Sequence, residues 1–302
     1  MAKWITMGAS AMDTILKVPH LPKADEIVFP ISIDQFPGGS TANIAAGLGR
    51  LGEEVVFFGK AGDDEAGRII KESFPDDGVK TDYLTIVPGN RSGGAFIAVD
   101  TEGERVIYSL GGTTLYESWD QVDTKAFEGL NGLYIGETFA EVGAEAAKLA
   151  HEKGAVVFFG PGGIMCGYGM DYLAPILAET DYLLVNLPEA KTLSGCEEKE
   201  SAIKTLLSAG VKNLVLTEGR KGSGCYSENS FCTAESFSVE AVDTTGAGDS
   251  FTACFLSAKL RGMETADCLR FGAACAAQTV QKVGARSALP TRAVVEDFLA
   301  KQ

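Results

Sequence analysis

From Leu133 onward the chain alternates short apolar runs with longer stretches of helical spacing, and that rhythm limits its possible folds more than any other feature. The runs 133–135, 156–159, 182–185 and 214–217 are apolar but for the closing Thr217, as strands buried on both faces are. Helical patterns fall between them near 141–153, 188–194 and 199–209, and after them near 247–261, 265–281 and 291–300. Alternation of this kind builds a parallel sheet covered by helices on both faces. The first part of the chain fits the same plan. Trp4 to Gly8 reads as a buried strand entering a glycine turn, 40–50 as a helix with Ser40 or Thr41 as N-cap, 55–58 as a strand and 64–74 as a helix. A hairpin-like pair, 224–227 and 231–234, follows later. With 302 residues, no linker and no internal repeat, the expectation is one α/β domain over 1–302.

Two segments, 14–36 and 92–111, break the rhythm. The second alternates as a two-stranded element turning at Asp100-Thr101-Glu102-Gly103. Both read as extra strands projecting from the first half. They could form a lid over a substrate, or a sheet extension without functional consequence, and the sequence favours neither.

Twenty-six basic against 41 acidic residues give a net charge of −15, spread without long like-charge blocks. That argues against a nucleic-acid-binding face and for a soluble protein. No apolar run reaches membrane-spanning length. The start, Met-Ala-Lys-Trp-Ile, lacks the apolar core of a secretion signal, so the expected location is the cytoplasm. Seven cysteines without a Cys-x-x-Cys pair read as reduced, mostly buried thiols. The two histidines, His20 and His151, have no nearby ligand partner, which disfavours zinc sites and Ser-His-Asp hydrolysis. His151 reads as a surface residue.

Residues 243–251, Asp-Thr-Thr-Gly-Ala-Gly-Asp-Ser-Phe, carry the chemistry. Gly246, Ala247 and Gly248 precede a helical pattern, and Asp249 falls in its first turn. Unpaired amides at a helix start, beside glycines that permit close approach, suit an anion such as a phosphate. A carboxylate there would repel a phosphate unless it had another task, and accepting a proton from an attacking hydroxyl is one. The plain structural alternative is a helix-start aspartate favoured by the macrodipole, with the glycines making a turn.

Other strand ends carry polar groups where ligands of α/β sheets gather. Gly38 and Gly39 precede a helix start with Asn43 in its first turn, able to read hydroxyls or simply to start a helix. Asp13 could hold two adjacent hydroxyls or be a turn residue. Asn186 and Glu189, around Pro188, could order Mg²⁺ waters or serve an ordinary helix start. Thr217 and Gly219 suit nucleotide phosphates or a turn. Gly47-Leu48-Gly49-Arg50-Leu51-Gly52 matches G-x-G-x-x-G but lies at a helix end before a strand, the reverse of the dinucleotide-binding context. No Walker-type phosphate loop occurs.

Together these residues resemble the ribokinase-like (PfkB) family of carbohydrate and nucleoside kinases across nearly the whole chain. The family's two signature regions match Gly-Gly-Ser-Thr-Ala-Asn at 38–43, extending through Gly59–Gly67, and Asp243–Phe251. The resemblance implies a three-layer α/β/α, Rossmann-like domain with a mainly parallel sheet and a small β-sheet lid that often serves dimerisation. It implies Asp249 as catalytic base and the amides of Gly246, Ala247 and Gly248 as anion hole. Asp13, Gly38, Gly39, Asn43 and Glu137 match substrate-binding positions, and Asn186, Thr217 and Gly219 match nucleotide positions. Glu189 matches a Mg²⁺ position acting through water. Asp243, Thr245, Lys282 and Gly284 resemble the loops around a monovalent cation such as K⁺.

Ribokinases commonly carry a lysine where Ser40 stands and an asparagine where Ala11 stands. Both departures fall on the sugar side, so phosphoryl transfer is better supported than ribose specificity. Glu218 places a negative charge beside the nucleotide loop. The expected function is transfer of phosphate from MgATP to a hydroxymethyl group of a sugar, by a homodimer with no nucleic-acid or membrane partner. One alternative is a nucleoside kinase, with Phe36, Phe96 or Tyr108 stacking on a base. The non-kinase alternative is a catalytically silent sugar- or nucleotide-sensing relative.

Overall fold

The apolar runs form the middle of a ten-stranded sheet in the computed structural model, which describes residues 1–302. In chain order the strands are β1 (Lys3–Met7), β2 (Ala11–Lys17), β3 (Ser32–Gly38), β4 (Glu54–Gly62), β5 (Val79–Lys80), β6 (Leu84–Val87) and β7 (Gly94–Val99). They continue with β8 (Arg105–Gly111), β9 (Gly132–Ile135), β10 (Val156–Phe159), β11 (Tyr182–Asn186), β12 (Asn213–Thr217), β13 (Ser223–Tyr226) and β14 (Phe231–Ala234). The helices are α1 (Ser40–Arg50), α2 (Glu65–Ser73), α3 (Ala140–Glu152), α4 (Gly162–Cys166) and α5 (Gly169–Leu177). After them come α6 (Leu187–Ser194), α7 (Lys199–Ser208), α8 (Ala247–Leu260), α9 (Thr265–Thr279) and α10 (Arg292–Leu299).

The large sheet runs β14-β13-β12-β11-β10-β9-β1-β4-β5, with β6 also on β4. Only the β12–β13 and β13–β14 pairs are antiparallel. Side chains of its strands alternate between two cores. Ile5, Val56 and Leu133 face α3 to α7, while Trp4, Phe57 and Tyr134 face α1, α8, α9 and α10. The cores are of similar size, 33 and 31 buried residues, so both faces of the sheet are covered, as parallel strands require. Each fully buried phenylalanine, such as Phe57, Phe58, Phe158 and Phe159, contributes about 1.5–3 kcal/mol. The strand ends therefore emerge from a rigid platform.

A second sheet, β3-β2-β7-β8, stands apart. It contains both segments that broke the rhythm, with one correction. Residues 18–31 form no strand, because Pro19, Pro22 and Pro30 deny the ladder its amide donors. Helices α4 and α5 fall between β10 and β11, in a stretch that carries Gly162, Gly163, Gly167, Gly169 and Pro175.

Two further expectations are corrected. Cys254 on α8 and Cys275 on α9 are joined in a disulfide, their Cα atoms 6.4 Å apart, while the other five cysteines are free. The two helices pack side by side, which a spacing of 21 residues does not announce. His151 is half-buried rather than a plain surface residue, because it bridges Glu179 at 3.3 Å and Asp181 at 3.0 Å.

Candidate active site

Parallel strands end on one side of the sheet, and there the N-termini of α1 and α8 lie next to each other. The N-cap of α1 is Gly39, with no side-chain cap, and not Ser40 or Thr41 as expected. Those hydroxyls are committed elsewhere. Ser40 Oγ donates to Asp249 Oδ1 at 2.7 Å, and Asn43 Nδ2 donates to Asp249 Oδ2 at 2.8 Å. Thr41 Oγ1 donates to Glu137 Oε2 at 3.1 Å. The first turn of α1 thus fixes two carboxylates brought from more than 90 residues away in sequence.

Helix α8 starts from Gly246 in the left-handed region, at φ 77°. A Cβ there would lie 2.8 Å from Ala285 Cα, so only glycine fits. The amides of Gly246 and Gly248 have no protein acceptor, whereas that of Ala247 reaches Thr244 O at 3.3 Å. Two free donors at the positive end of a helix make an anion site. Asp243 stitches this turn to the loop after α9. Its Oδ1 accepts from Thr245 N at 2.9 Å and Thr245 Oγ1 at 2.6 Å, and its Oδ2 accepts from Gly284 N at 2.8 Å. Asp243, Thr245 and Gly284 are therefore brought together, while Lys282 is exposed nearby.

Asp13, on β2, reaches the same region. Gly38 makes room for it, since a Cβ on Gly38 would sit 2.2 Å from Asp13 Oδ2. Four carboxylates here are held above their ordinary range, each chiefly by burial. Asp249 is partly rescued by Asn43, Ser40 and then the charge of Arg286. Arg286 also lowers Asp13 while Asp249 raises it. Glu137 is lowered by a backbone bond and Thr41 but raised by Asp249 and Glu189, and Glu189 is lowered by Asn186 but raised by Asp249. Asp249 is thus half-buried with a raised pKa.

Next to the free amides lies a cavity of about 560 Å³. Thr217, Gly219, Ala247 and Gly248 edge it, and Phe251, Phe237 and the small residues Ala273, Ala276 and Ala277 line its apolar interior. An anion site opening into an apolar slot suits a nucleotide with its phosphates at the helix start. A larger depression of about 750 Å³, edged by Glu200, Lys204 and Lys212, contains none of the predicted site residues.

A model of the pfkB family of carbohydrate kinases matches residues 1–292. The chain belongs to that family. The kinase is 31% identical to the ribokinase of Bacillus subtilis over 301 residues, covering 97% of this chain and 98% of that one. It is 28% identical to an ATP-dependent ribose-1-phosphate kinase of Halopiger xanaduensis, covering 100% and 99% of the two. Its fold matches Arabidopsis thaliana ribokinase, solved with ribose and ATP, at TM-score 0.90, 28% identity and 99% coverage of each chain. This is an ATP-dependent carbohydrate kinase of three-layer α/β/α architecture. No helix is long and apolar enough to cross a membrane.

Some of the kinase's predicted site residues are occupied with local work. Asn186 and Glu189 form a capping box on α6: Asn186 Oδ1 accepts from Glu189 N, and Glu189 Oε2 accepts from Asn186 N, both at 2.9 Å. Glu218 is neutralised by Lys199, which answers the negative charge beside the nucleotide loop. The cavity's apolar lining escaped sequence reading, because alanines on α9 look like any helix core face. Arg286 escaped too, since an arginine in a C-terminal loop reads as surface.

Proposed function

We propose that this kinase transfers the γ-phosphoryl group of MgATP to a hydroxymethyl group of a sugar, with Asp249 as general base. The observation that carries the reading is the setting of Asp249. It stands in the first turn of α8, beside two free amides, with its oxygens aimed by Ser40 and Asn43. The acceptor lies between Asp13, Asn43 and the Gly38-Gly39 turn, with Glu137 below it. The nucleotide fills the cavity past Thr217 and Gly219. Asp249 takes the hydroxyl proton as the oxygen attacks phosphorus and the bond to the departing ADP oxygen breaks, and the free amides of Gly246 and Gly248 receive the developing charge. Burial raises the pKa of Asp249 and makes it a better base than a free aspartate, while its two donors favour the ionised form.

No cluster of three or more His, Cys, Asp or Glu side chains could hold a metal unaided. Mg²⁺ bound mainly by phosphates and water fits that, with Glu189 Oε1 left free by the capping box to order the waters. The ion would neutralise phosphate charge. A monovalent cation such as K⁺ belongs at the Asp243–Gly284 crossing, where Thr245 and Lys282 would contribute through their backbone carbonyls.

Register supports a free sugar over a nucleoside. Asp13 pairs with Ala95 and Phe36, whereas Phe96 pairs with Thr14 and Tyr108 on the opposite face of the small sheet. Of the three aromatics proposed to stack on a base, only Phe36 shares the face of Asp13. The other face exposes Ile33, Phe96, Val106 and Tyr108, an apolar patch suited to a second copy of this chain. The small sheet is thus proposed as both lid and dimer surface, and light scattering on the purified kinase would read two chains per particle. The substrate test is ADP release from MgATP against free sugars, sugar acids, polyols, sugar phosphates and nucleosides. A free sugar turned over best supports the reading, and preference for a nucleoside refutes it.

A further inference from the structure

Arg286 lies in the loop between α9 and α10 and is only 7% exposed. Its guanidinium stacks on Phe74, with Cζ 4.9 Å from the ring centroid, and Nη1 donates to Ser73 Oγ at 2.7 Å. Nε and Nη2, the edge that grips carboxylates in pairs elsewhere, are buried without any hydrogen-bond partner. Leaving such donors unpaired carries an uncompensated desolvation cost. Packing therefore does not account for this arginine.

Its position does. The preceding residue, Ala285, lies against Gly246 at the start of α8, and Gly284 is bonded to Asp243. On the α1 side it faces the ion pair of Arg50 and Asp77, 2.6 Å apart, whose charges oppose each other. On the site side its charge acts on Asp13 from β2 and Asp249 from α8. The remaining titratable groups around Asp249 are Glu137 and Tyr134 from β9 and the turn after it, and Glu189 from α6. None of those is a cation. Arg286 is the sole basic side chain that acts on Asp13 and Asp249, and it favours the ionised form of both.

We infer that Arg286 is the buried counter-cation of the acceptor site, a positioning residue whose charge holds the Asp13 and Asp249 carboxylates side by side. It reaches neither acceptor nor nucleotide and works through those two groups. The inference rests on the reading of Asp249 as base and deepens it. A chain of net charge −15 that gathers four carboxylates around an incoming triphosphate needs a fixed positive charge behind them.

The test compares Arg286→Met with Arg286→Lys, reading kcat/KM against pH, thermal unfolding, and the titration of the Asp249 carboxyl by carbon-detected NMR. Arg286→Met is expected to unfold no lower than wild type, because it removes two unsatisfied donors. It should lose roughly ten- to hundredfold in kcat/KM at neutral pH. Its acid limb and its Asp249 titration should both move to higher pH. Arg286→Lys, which keeps the charge, should hold both midpoints near wild type. Equal losses in the two variants with unmoved midpoints would overturn the inference, as would full activity in Arg286→Met. A moved Asp249 titration with an unmoved acid limb would instead refute the base and leave the counter-cation standing.

Discussion

Gly38→Ala separates the acceptor side of the site from the fold. Gly38 pairs with Ala11 in the small sheet, in a backbone conformation open to any residue, so the new methyl costs little strain. What it meets is Asp13 Oδ2, at 2.2 Å, against an ordinary contact of 3.4 Å or more. The carboxylate must retreat by about 1.2 Å, the difference between those values. It can do so by rotating its side chain, so stability should change by less than ~1 kcal/mol. Misplacing a substrate-holding group by ~1 Å costs about 10²-fold, or ~2.7 kcal/mol of transition-state binding. Steady-state ADP release should therefore show kcat/KM for the sugar down about a hundredfold, mostly in KM, with KM for ATP unchanged and thermal unfolding near wild type. Unaltered sugar kinetics would refute Asp13 as an acceptor ligand. A collapse of stability would refute the account of why Gly38 is glycine.

Three further variants probe the remaining parts. Ser40→Ala removes the hydroxyl bonded to Asp249 Oδ1, a bond to a charged group worth about 1.5–3 kcal/mol. Activity needs Asp249 ionised, and losing a donor raises its pKa further, so the acid limb of the pH–rate profile should move to higher pH. Gly246→Ala must hold φ 77° and meets Ala285 Cα at 2.8 Å. It should lose about 1–3 kcal/mol in urea unfolding and most of kcat. Glu53 is buried and accepts from Ala2 N, Ser257 Oγ and Arg261 Nε. Although burial raises its pKa, those bonds outweigh it and the net direction is down. Its stabilisation is present above the unfolded pKa and is lost as pH falls through the folded one. Glu53→Gln should thus cost about 3–5 kcal/mol near neutrality, and the gap to wild type should narrow in acid, as chemical denaturation at the two pH values would show.

The large sheet was legible because a strand buried on both faces must be apolar along its buried length, as 156–159 and 214–216 are. Helix ends were legible for the same kind of reason, as at Pro188, whose missing amide suits a first turn. Side-chain partners were not. Ser40 at a helix start reads as a cap, and nothing local says that its hydroxyl serves an aspartate 209 residues later. Asn186 and Glu189 show the opposite failure. Their spacing matches a metal and phosphate element, yet it is equally the spacing of a capping box, which is what they form. Arg286 was missed because its burial is set by Phe74 and Ser73, contacts that arise only once the C-terminal loop folds back on α2.

The central claim is that Asp249 is the base. Asp249→Asn keeps the shape of the site, since a flip of Asn43 would give its unpartnered Oδ1 a donor from the new amide. The deciding measurement is ADP release from MgATP with the preferred sugar, in wild type and Asp249→Asn, with nucleotide binding and thermal unfolding followed in parallel. The account predicts a loss of about 10²–10⁴ in kcat with binding and stability intact. A variant that turns over at close to the wild-type rate would contradict it.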